Sequence, residues 1–398
     1  MVRKIIPVFK PFMGKEEIEA VAEVLNSGWI GMGPKTEQFE KDFQSYTGAP
    51  YAISTNSCTA ALHLAIRAAG IKEGDEIITS PMTFASTVEA ILYNGGVPVF
   101  ADIEYGTMNI NPIDIEKRIT SKTKAIVPVH FGGHPCNMAA INKIAADHGL
   151  AVVEDAAHAC GASYADGTKV GNGKNLTCFS FHAVKNLALG DGGMITCTDD
   201  TINARLKKMR WMGISKDTYA RDKSGKYKWD YDIVEQGWKY HPNDIMCAIG
   251  IEQLKKLDKM NTRRRKIAEL YTKELSKEPF PAEIELPEDR SGKPGYEKMI
   301  HARHNYVIKL KTLDREGLIA YMAEQGITLG VHYKPLYHHP RYKPYDKKDT
   351  PVCEEIWKKI VTLPVFPDMT DLEALFIINK IKEYLSLNLN SLNSLNKP

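Results

Sequence analysis

Two residues, Asp155 and Lys185, are of a type and placement that could do chemistry together. Leu150-Ala151-Val152-Val153 is a short apolar run, the pattern of a strand buried on both faces. It ends abruptly in Glu154-Asp155-Ala156-Ala157-His158. A second apolar run, Leu176 to Phe181, leads into His182-Ala183-Val184-Lys185-Asn186 and then Gly190-Asp191-Gly192-Gly193-Met194. A carboxylate ending one buried strand and a lysine just past another are costly in a core unless something pairs with them. From spacing alone, an ordinary salt bridge at a strand edge is the commoner explanation. The flanking residues favour a different one. Ser180 can donate to a phosphate, and the glycines let backbone pass close to a ligand. A pyridoxal phosphate ring would use all of this. The lysine amine forms a Schiff base, and the carboxylate keeps the pyridine nitrogen protonated.

An anion cup would complete such a site. Tyr51-Ala52-Ile53-Ser54 reads as a strand, followed by Thr55-Asn56-Ser57-Cys58-Thr59 and a helix with Leu62, Ala65, Ile66 and Ala69 on its buried stripe. The first N–H groups of a helix are unpaired and its dipole favours negative charge. Ser/Thr caps more often serve helices without ligands, so the cup gains weight only beside Asp155 and Lys185.

The elements that must position these residues alternate along the chain. Glu76-Ile77-Ile78-Thr79, Val97-Pro98-Val99-Phe100 and Ala125 to Val129 read as further buried strands. Ile113 to Ile119 and Met138 to His148 read as helices between them, and Glu16 to Leu25 as an amphipathic helix before them. This alternation predicts an α/β fold with a mostly parallel sheet covered on both faces. Ligands in such sheets sit beyond the carboxyl ends of the strands, where Asp155 and the Thr55 loop fall. Later the chain changes character. Lys216 to Asp232 reads as an inserted surface loop, and Glu252 to Leu275 as a long charged helix bridging two domains. Pro279 to Gly295 reads as a loop, and His304 to Ile308 as the first strand of a second domain. Thr370-Asp371-Leu372-Glu373 is a capping box before the last helix. The expected boundaries are 1–255 for a large domain and 256–385 for a small one, with 386–398 a disordered tail.

Val153 to Ala159 and Phe179 to Asn186, together with Gly190 to Met194, closely resemble the DegT family of fold-type I, pyridoxal-phosphate-dependent sugar-nucleotide aminotransferases. The resemblance runs from about Pro7 to about Tyr384 and leans toward the UDP-4-amino-4-deoxy-L-arabinose aminotransferases. It implies transfer of an amino group from glutamate to a keto sugar carried as a nucleotide diphosphate, with a UDP-linked 4-keto sugar expected. The product would serve cell-surface glycans such as lipopolysaccharide. Lys185 would hold the cofactor and shuttle the proton, and Asp155 would face the ring nitrogen. His158 would contact the ring oxygen, where the family has Gln or His. The backbone of Cys58 and Thr59 would meet the phosphate, and Phe84 would stack on the ring. Trp29, in the glycine-rich loop Ser27 to Pro34, and the pair His332-Tyr333 would lie near the substrate. Lys239 would reach across a homodimer to the phosphate of the other subunit. By plain base rates, Phe84 would be core packing, Lys239 solvent-facing and His332-Tyr333 a packed strand end.

Three alternatives compete. Amination at C3, or the dehydratase chemistry of relatives that replace the Schiff-base lysine with histidine, is one; Lys185 disfavours the dehydratase. A non-catalytic regulator is disfavoured by the intact Lys185, Asp155 and Ser180 set. A Rossmann-type nucleotide module lacks G-x-G-x-x-G after the first strand. Composition narrows the field further. The chain has 398 residues, net charge +3, 43% hydrophobic and 25% charged residues, which suits a large and a small core and makes no electrostatic case for nucleic acid. The basic run Arg263 to Lys266 reads as a solvated helix face. Seven scattered cysteines with no C-x-x-C pair point to a reducing, cytoplasmic setting. No signal peptide and no membrane span is expected. The histidine pairs His301/His304 and His338/His339 lack a matched acidic or cysteine set, so no metal is expected.

Overall fold

The computed structural model describes residues 5–215 and 231–395. The surface loop expected over Lys216 to Asp232 therefore lies almost wholly outside the described residues.

Seven strands make one sheet: β1 (Tyr51–Thr55), β2 (Glu76–Thr79), β3 (Val97–Phe100), β4 (Thr123–Val127), β5 (Ala151–Asp155), β6 (Leu176–Ser180) and β7 (Gly193–Cys197). Their order is β1-β7-β6-β5-β4-β2-β3. The pairs from β6 through β3 are parallel, and β7 runs antiparallel to both of its neighbours. The helices α1 (Lys15–Ser27), α2 (Pro34–Thr47), α3 (Cys58–Ala68), α4 (Ala85–Tyr93), α5 (Pro112–Arg118), α6 (Met138–His148), α7 (Asp200–Met209) and α8 (Asp244–Leu275) surround it. A mostly parallel sheet with helices around it is the α/β arrangement that the alternation of strands and helices predicts.

Period-two alternation builds a core on each face of the sheet. Ile77, Val127, Val153 and Cys178 pack with the α3 residues Leu62, Ala65 and Ile66. Their chain neighbours Ile78, Ile126 and Val152 pack instead with Ile141, Ile144 and Ala145 of α6. The same alternation, carried to the end of β5, puts Asp155 on the α3 face with Val153, and Glu154 on the α6 face with Val152. In β6 it puts Ser180 on the face of Cys178. Register finishes the arrangement: Gly193 pairs with Thr55 of β1 on one side and with Ser180 of β6 on the other.

The smaller second sheet has the order β10-β9-β8, formed by β8 (Ile284–Glu285), β9 (Tyr306–Leu310) and β10 (Ile360–Leu363). Helix α8 serves both cores. Ile251, Leu254 and Leu257 pack in the large domain, while Ile267, Ala268, Tyr271 and Leu275 pack in the small one. The long helix expected from Glu252 begins at Asp244 and spans 32 residues. No proline interrupts it, and Gly250 lies close under the Phe39 ring. The Pro279 to Gly295 stretch is not all loop. It holds a helical turn, Phe280–Glu283, and strand β8, because Phe280 and Ile284 both bury in the small-domain core. The second-domain strand begins at Tyr306 rather than His304. The capping box forms as read: Glu373 Oε2 accepts from Thr370 N at 2.8 Å, and Thr370 Oγ1 accepts from Glu373 N at 3.1 Å, worth about 1 kcal/mol. That helix continues to Leu395, where disorder was expected from Ser386.

Candidate active site

The carboxyl ends of β5 and β6 and the start of α3 open into a cavity of about 310 Å³ lined by Asp155, Lys185, Ser180, Cys58, Thr59 and their neighbours. Each wall has a local cause. Strand β5 ends at Asp155 because the chain turns there: Ala157 N–H folds back onto Asp155 Oδ1 at 3.1 Å. Thr87 of α4 donates to Asp155 Oδ2 at 2.7 Å. The carboxylate is 4% exposed. Burial pushes its pKa above the ordinary value, opposed by the Thr87 and Ala157 hydrogen bonds and then by the charges of Lys185 and His130.

Lys185 stands past the end of β6 in a tight turn closed by its own N–H to His182 O at 2.8 Å. Burial pushes the amine from 10.5 down to about 8, with Asp155 pulling it back up. An amine poised near neutrality beside a buried carboxylate suits nucleophilic attack and proton transfer.

The cup is built as the sequence suggests. Ser57 caps α3 by accepting from Ala60 N at 3.1 Å. Thr59 Oγ1 lies 2.7 Å from Ser86 Oγ, so the hydroxyls of α3 and α4 meet. Gly193 has to be glycine: a Cβ there would lie 2.5 Å from Ser57 O and 2.8 Å from Cys58 N. The strand that carries Gly193 thus presses directly against the helix start. These residues fit pyridoxal phosphate. The neutral donors at the helix start suit its phosphate, the amine suits its aldehyde, and the carboxylate suits its ring nitrogen.

His158 and Tyr333 face each other across the domain boundary. His158 Nδ1 accepts from Gly132 N at 3.3 Å, and its Nε2 lies 3.0 Å from the Tyr333 hydroxyl. Accepting at Nδ1 places the imidazole proton on Nε2, directed at the Tyr333 oxygen. Burial, then the Lys185 charge, holds His158 far below its usual pKa, hence neutral. His332 also lines the cavity, its Nδ1 2.9 Å from Thr362 Oγ1, and burial pushes it down to about 4.

Two expected residues stand elsewhere. Trp29 does not line the cavity; its Nε1 donates to Met32 O at 3.2 Å and its ring covers Gly33. Lys239 does not line it either. Its backbone is joined to the cup, since Lys239 O accepts from Asn56 Nδ2 at 3.3 Å and Tyr240 O from Asn56 N at 2.7 Å. Its side chain is exposed, 5.9 Å from the Trp211 ring. Phe84 is at the mouth and 63% exposed. Sequence reasoning missed Thr83, Ser86 and Thr87, and also Phe9 and His304. His304 stacks between Phe9, at 4.9 Å, and His158, at 4.4 Å. Sequence reasoning weighed it only beside His301, as a metal pair it rejected; His301 itself packs against His134.

Comparison with known proteins bears directly on this cavity. The profile of the DegT/DnrJ/EryC1/StrS aminotransferase family matches residues 11–382. An uncharacterized protein of Methanocaldococcus jannaschii is 43% identical over 393 residues, covering 96% of this chain and 98% of its own length. The spore coat polysaccharide biosynthesis protein SpsC of Bacillus subtilis is 40% identical over 386 residues, covering 95% and 96%. Spr1654 of Streptococcus pneumoniae, assigned as a sugar aminotransferase and solved in its PMP-form, superposes with TM-score 0.87 at 30% identity, covering 95% of this chain and 98% of its own. It is also known in a PLP-form.

Proposed function

Because the chain belongs to the DegT/DnrJ/EryC1/StrS aminotransferase family, we propose that it moves an amino group from glutamate to a keto sugar carried as a nucleotide diphosphate. Its cofactor is pyridoxal phosphate. The observation that carries this reading is the convergence of Lys185, Asp155 and the α3 start on one cavity. When bound, the cofactor supplies an aldehyde that exchanges amines and a protonated ring that accepts an electron pair.

The chain supplies the rest. Lys185 Nζ would hold the cofactor and, once free, would accept a proton from a substrate carbon and return it. Asp155 would keep the proton on the ring nitrogen. His158 Nε2–H and the Tyr333 hydroxyl give polar groups at the cavity wall. The start of α3, with Ser180, Thr59 and Ser86, provides neutral donors for a phosphate. The buried sides of the cavity exclude water from the reacting carbon.

The finer reading is amination at C4 of a UDP-linked 4-keto sugar, of the UDP-4-amino-4-deoxy-L-arabinose aminotransferase type, for a cell-surface glycan. We infer a homodimer in which Lys239 of one subunit approaches the phosphate of the other, and in which the partner covers Phe84 and approaches Trp29. The exposed Lys239, tied by its backbone to the cup residue Asn56, supports that arrangement. The seven cysteines are all free and buried, which suits a cytoplasmic setting. Among the described residues no helix is long and apolar enough to cross a membrane. A panel of UDP-, GDP- and dTDP-linked 3-keto and 4-keto sugars with glutamate, read by the mass change of oxygen exchanged for an amine, tests the reading. Turnover of a UDP-linked 4-keto sugar is expected. Conversion of a 3-keto sugar alone would refute the C4 assignment, and no amine product from any of them would refute the function.

A further inference from the structure

Asp155 is held by a hydroxyl chain that the strand itself does not need. Thr87, fully buried on α4, lies 2.7 Å from Asp155 Oδ2 and 2.8 Å from the hydroxyl of Thr83. An ionised carboxylate only accepts, and a hydroxyl has one proton to give. Thr87 must therefore donate to Asp155, and its own oxygen then accepts from Thr83. The order Thr83 to Thr87 to Asp155 is the one that satisfies both hydroxyls while Asp155 is charged. A buried hydroxyl is costly unless bonded, and valine has the same shape. Threonine at position 87 therefore has its use in the bond. Thr83 lines the cavity, so the chain starts at the cavity wall and ends on the carboxylate.

We propose that Thr87, oriented by Thr83, is a positioning residue that fixes the rotation of the Asp155 carboxylate and stabilises its ionised form. This rests on the reading of Asp155 as the partner of the ring nitrogen. Each Asp155 oxygen has one protein donor, Ala157 N–H or Thr87 Oγ–H, which blocks rotation while leaving each oxygen able to accept again. The groups facing Asp155 from the packed elements are the Lys185 amine, His130, the Cys58, Cys136 and Cys178 thiols and the Tyr333 hydroxyl. Burial pushes the thiols and the phenol up, so they stay neutral.

The test uses cofactor-free protein and double mutants. Burial already raises the Asp155 pKa and the Thr87 bond lowers it, so Thr87→Val should raise it further. A folded acid with a raised pKa adds stability that is complete below its unfolded pKa and is lost as pH rises through the folded value. The destabilisation caused by Thr87→Val should therefore grow with pH, reaching on the order of tenfold in the unfolding constant between about pH 4 and about pH 8. Thr87→Ser should restore most of it. In the Asp155→Asn background the cost of Thr87→Val should no longer vary with pH. The affinity for pyridoxal phosphate, measured by equilibrium dialysis, should fall with Thr87→Val and recover with Thr87→Ser. A cost that is flat with pH, the same pH dependence in the Asp155→Asn background, or serine as damaging as valine would each overturn the proposal. If Thr87→Val does not fold, Thr83→Val, one bond removed, should show the same pH trend more weakly, and a flat response there would overturn it as well. A wild-type protein that takes up no pyridoxal phosphate would end the functional reading while leaving the coupling of Thr87 to Asp155 to be judged by these stabilities.

Discussion

Asp155→Asn should move two measurable rates in opposite directions. Burial brings the Lys185 amine from 10.5 to about 8, and the Asp155 charge is the first influence opposing that fall. Near pH 7.5, an amine with a pKa of about 8 is neutral about a quarter of the time, against about a thousandth for an ordinary lysine, roughly a 200-fold gain in nucleophile. Asparagine keeps the shape of Asp155 and removes its charge. The Lys185 pKa then falls further and the neutral fraction near pH 7.5 rises toward one, a gain of at most about fourfold. Uptake of pyridoxal phosphate by cofactor-free protein, followed by stopped-flow visible absorbance from about pH 6 to about pH 10, should thus have a midpoint near 8 in wild type and a lower one in the variant. The half-reaction with glutamate should slow on the order of a hundredfold or more, because the ring nitrogen loses the group that keeps it protonated. A wild-type midpoint near that of free lysine would show that the cavity does not shift the amine. A midpoint that rises in the variant would reverse the assigned sign of the Asp155 effect. An unchanged half-reaction would leave Asp155 a structural residue only.

Borohydride should trap pyridoxal phosphate on the peptide that contains Lys185; trapping on Lys169 or Lys174 would refute the assignment. Lys185→Ala should lose turnover by several orders of magnitude, since nucleophile and proton shuttle disappear together. Gly193→Ala should weaken cofactor binding by at least about tenfold, since its Cβ would meet Ser57 and Cys58 backbone; unchanged dialysis affinity would show that the cup can yield. Mixing inactive Lys185→Ala with Lys239→Ala at limiting cofactor should restore activity if Lys239 serves the partner's site, because a mixed dimer then holds one intact site. No recovery, with subunit exchange confirmed, would rule out the shared site.

The parts of the site that could be read from sequence lie where a local pattern ends. Asp155 closes an apolar strand, Lys185 follows another, and Ser57 caps a helix, so a break in periodicity marked each of them. Thr83 and Thr87 gave no such mark. Hydroxyls one turn apart at a helix start look like ordinary capping residues, and their use depends on a carboxylate 68 positions away. His304 enters with the second domain, and Phe9 follows because its neighbours Ile6 and Val8 bond to Gly326, Thr328 and Val365 there, which puts the N-terminal segment outside the large domain expected to hold it; no local signal reports either. The direction of β7 was legible in principle. The link from Ser180 to Gly193 contains no helix to carry a parallel crossover, so an antiparallel return is the natural solution. Strand β8 has two residues and pairs only with β9, too short for any periodicity to show. Trp29 and Lys239 were chosen by resemblance, and the fold of one chain leaves both outside its own cavity.

The cavity wall runs from Phe9 to Tyr333, and that spread sets a timetable for a chain made from its N-terminus onward. The sheet can close once β7 has left the ribosome, which puts Lys185, Asp155 and the cup in place early. His304, His332 and Tyr333 arrive only with the second domain, and domains fold largely as units in the order of synthesis. For that interval Lys185 lacks part of the wall that buries it, and burial is what pushes its amine down, so the amine stays closer to an ordinary charged lysine. A chain stopped before Tyr333 would thus hold the lysine and the carboxylate without the full burial that tunes them.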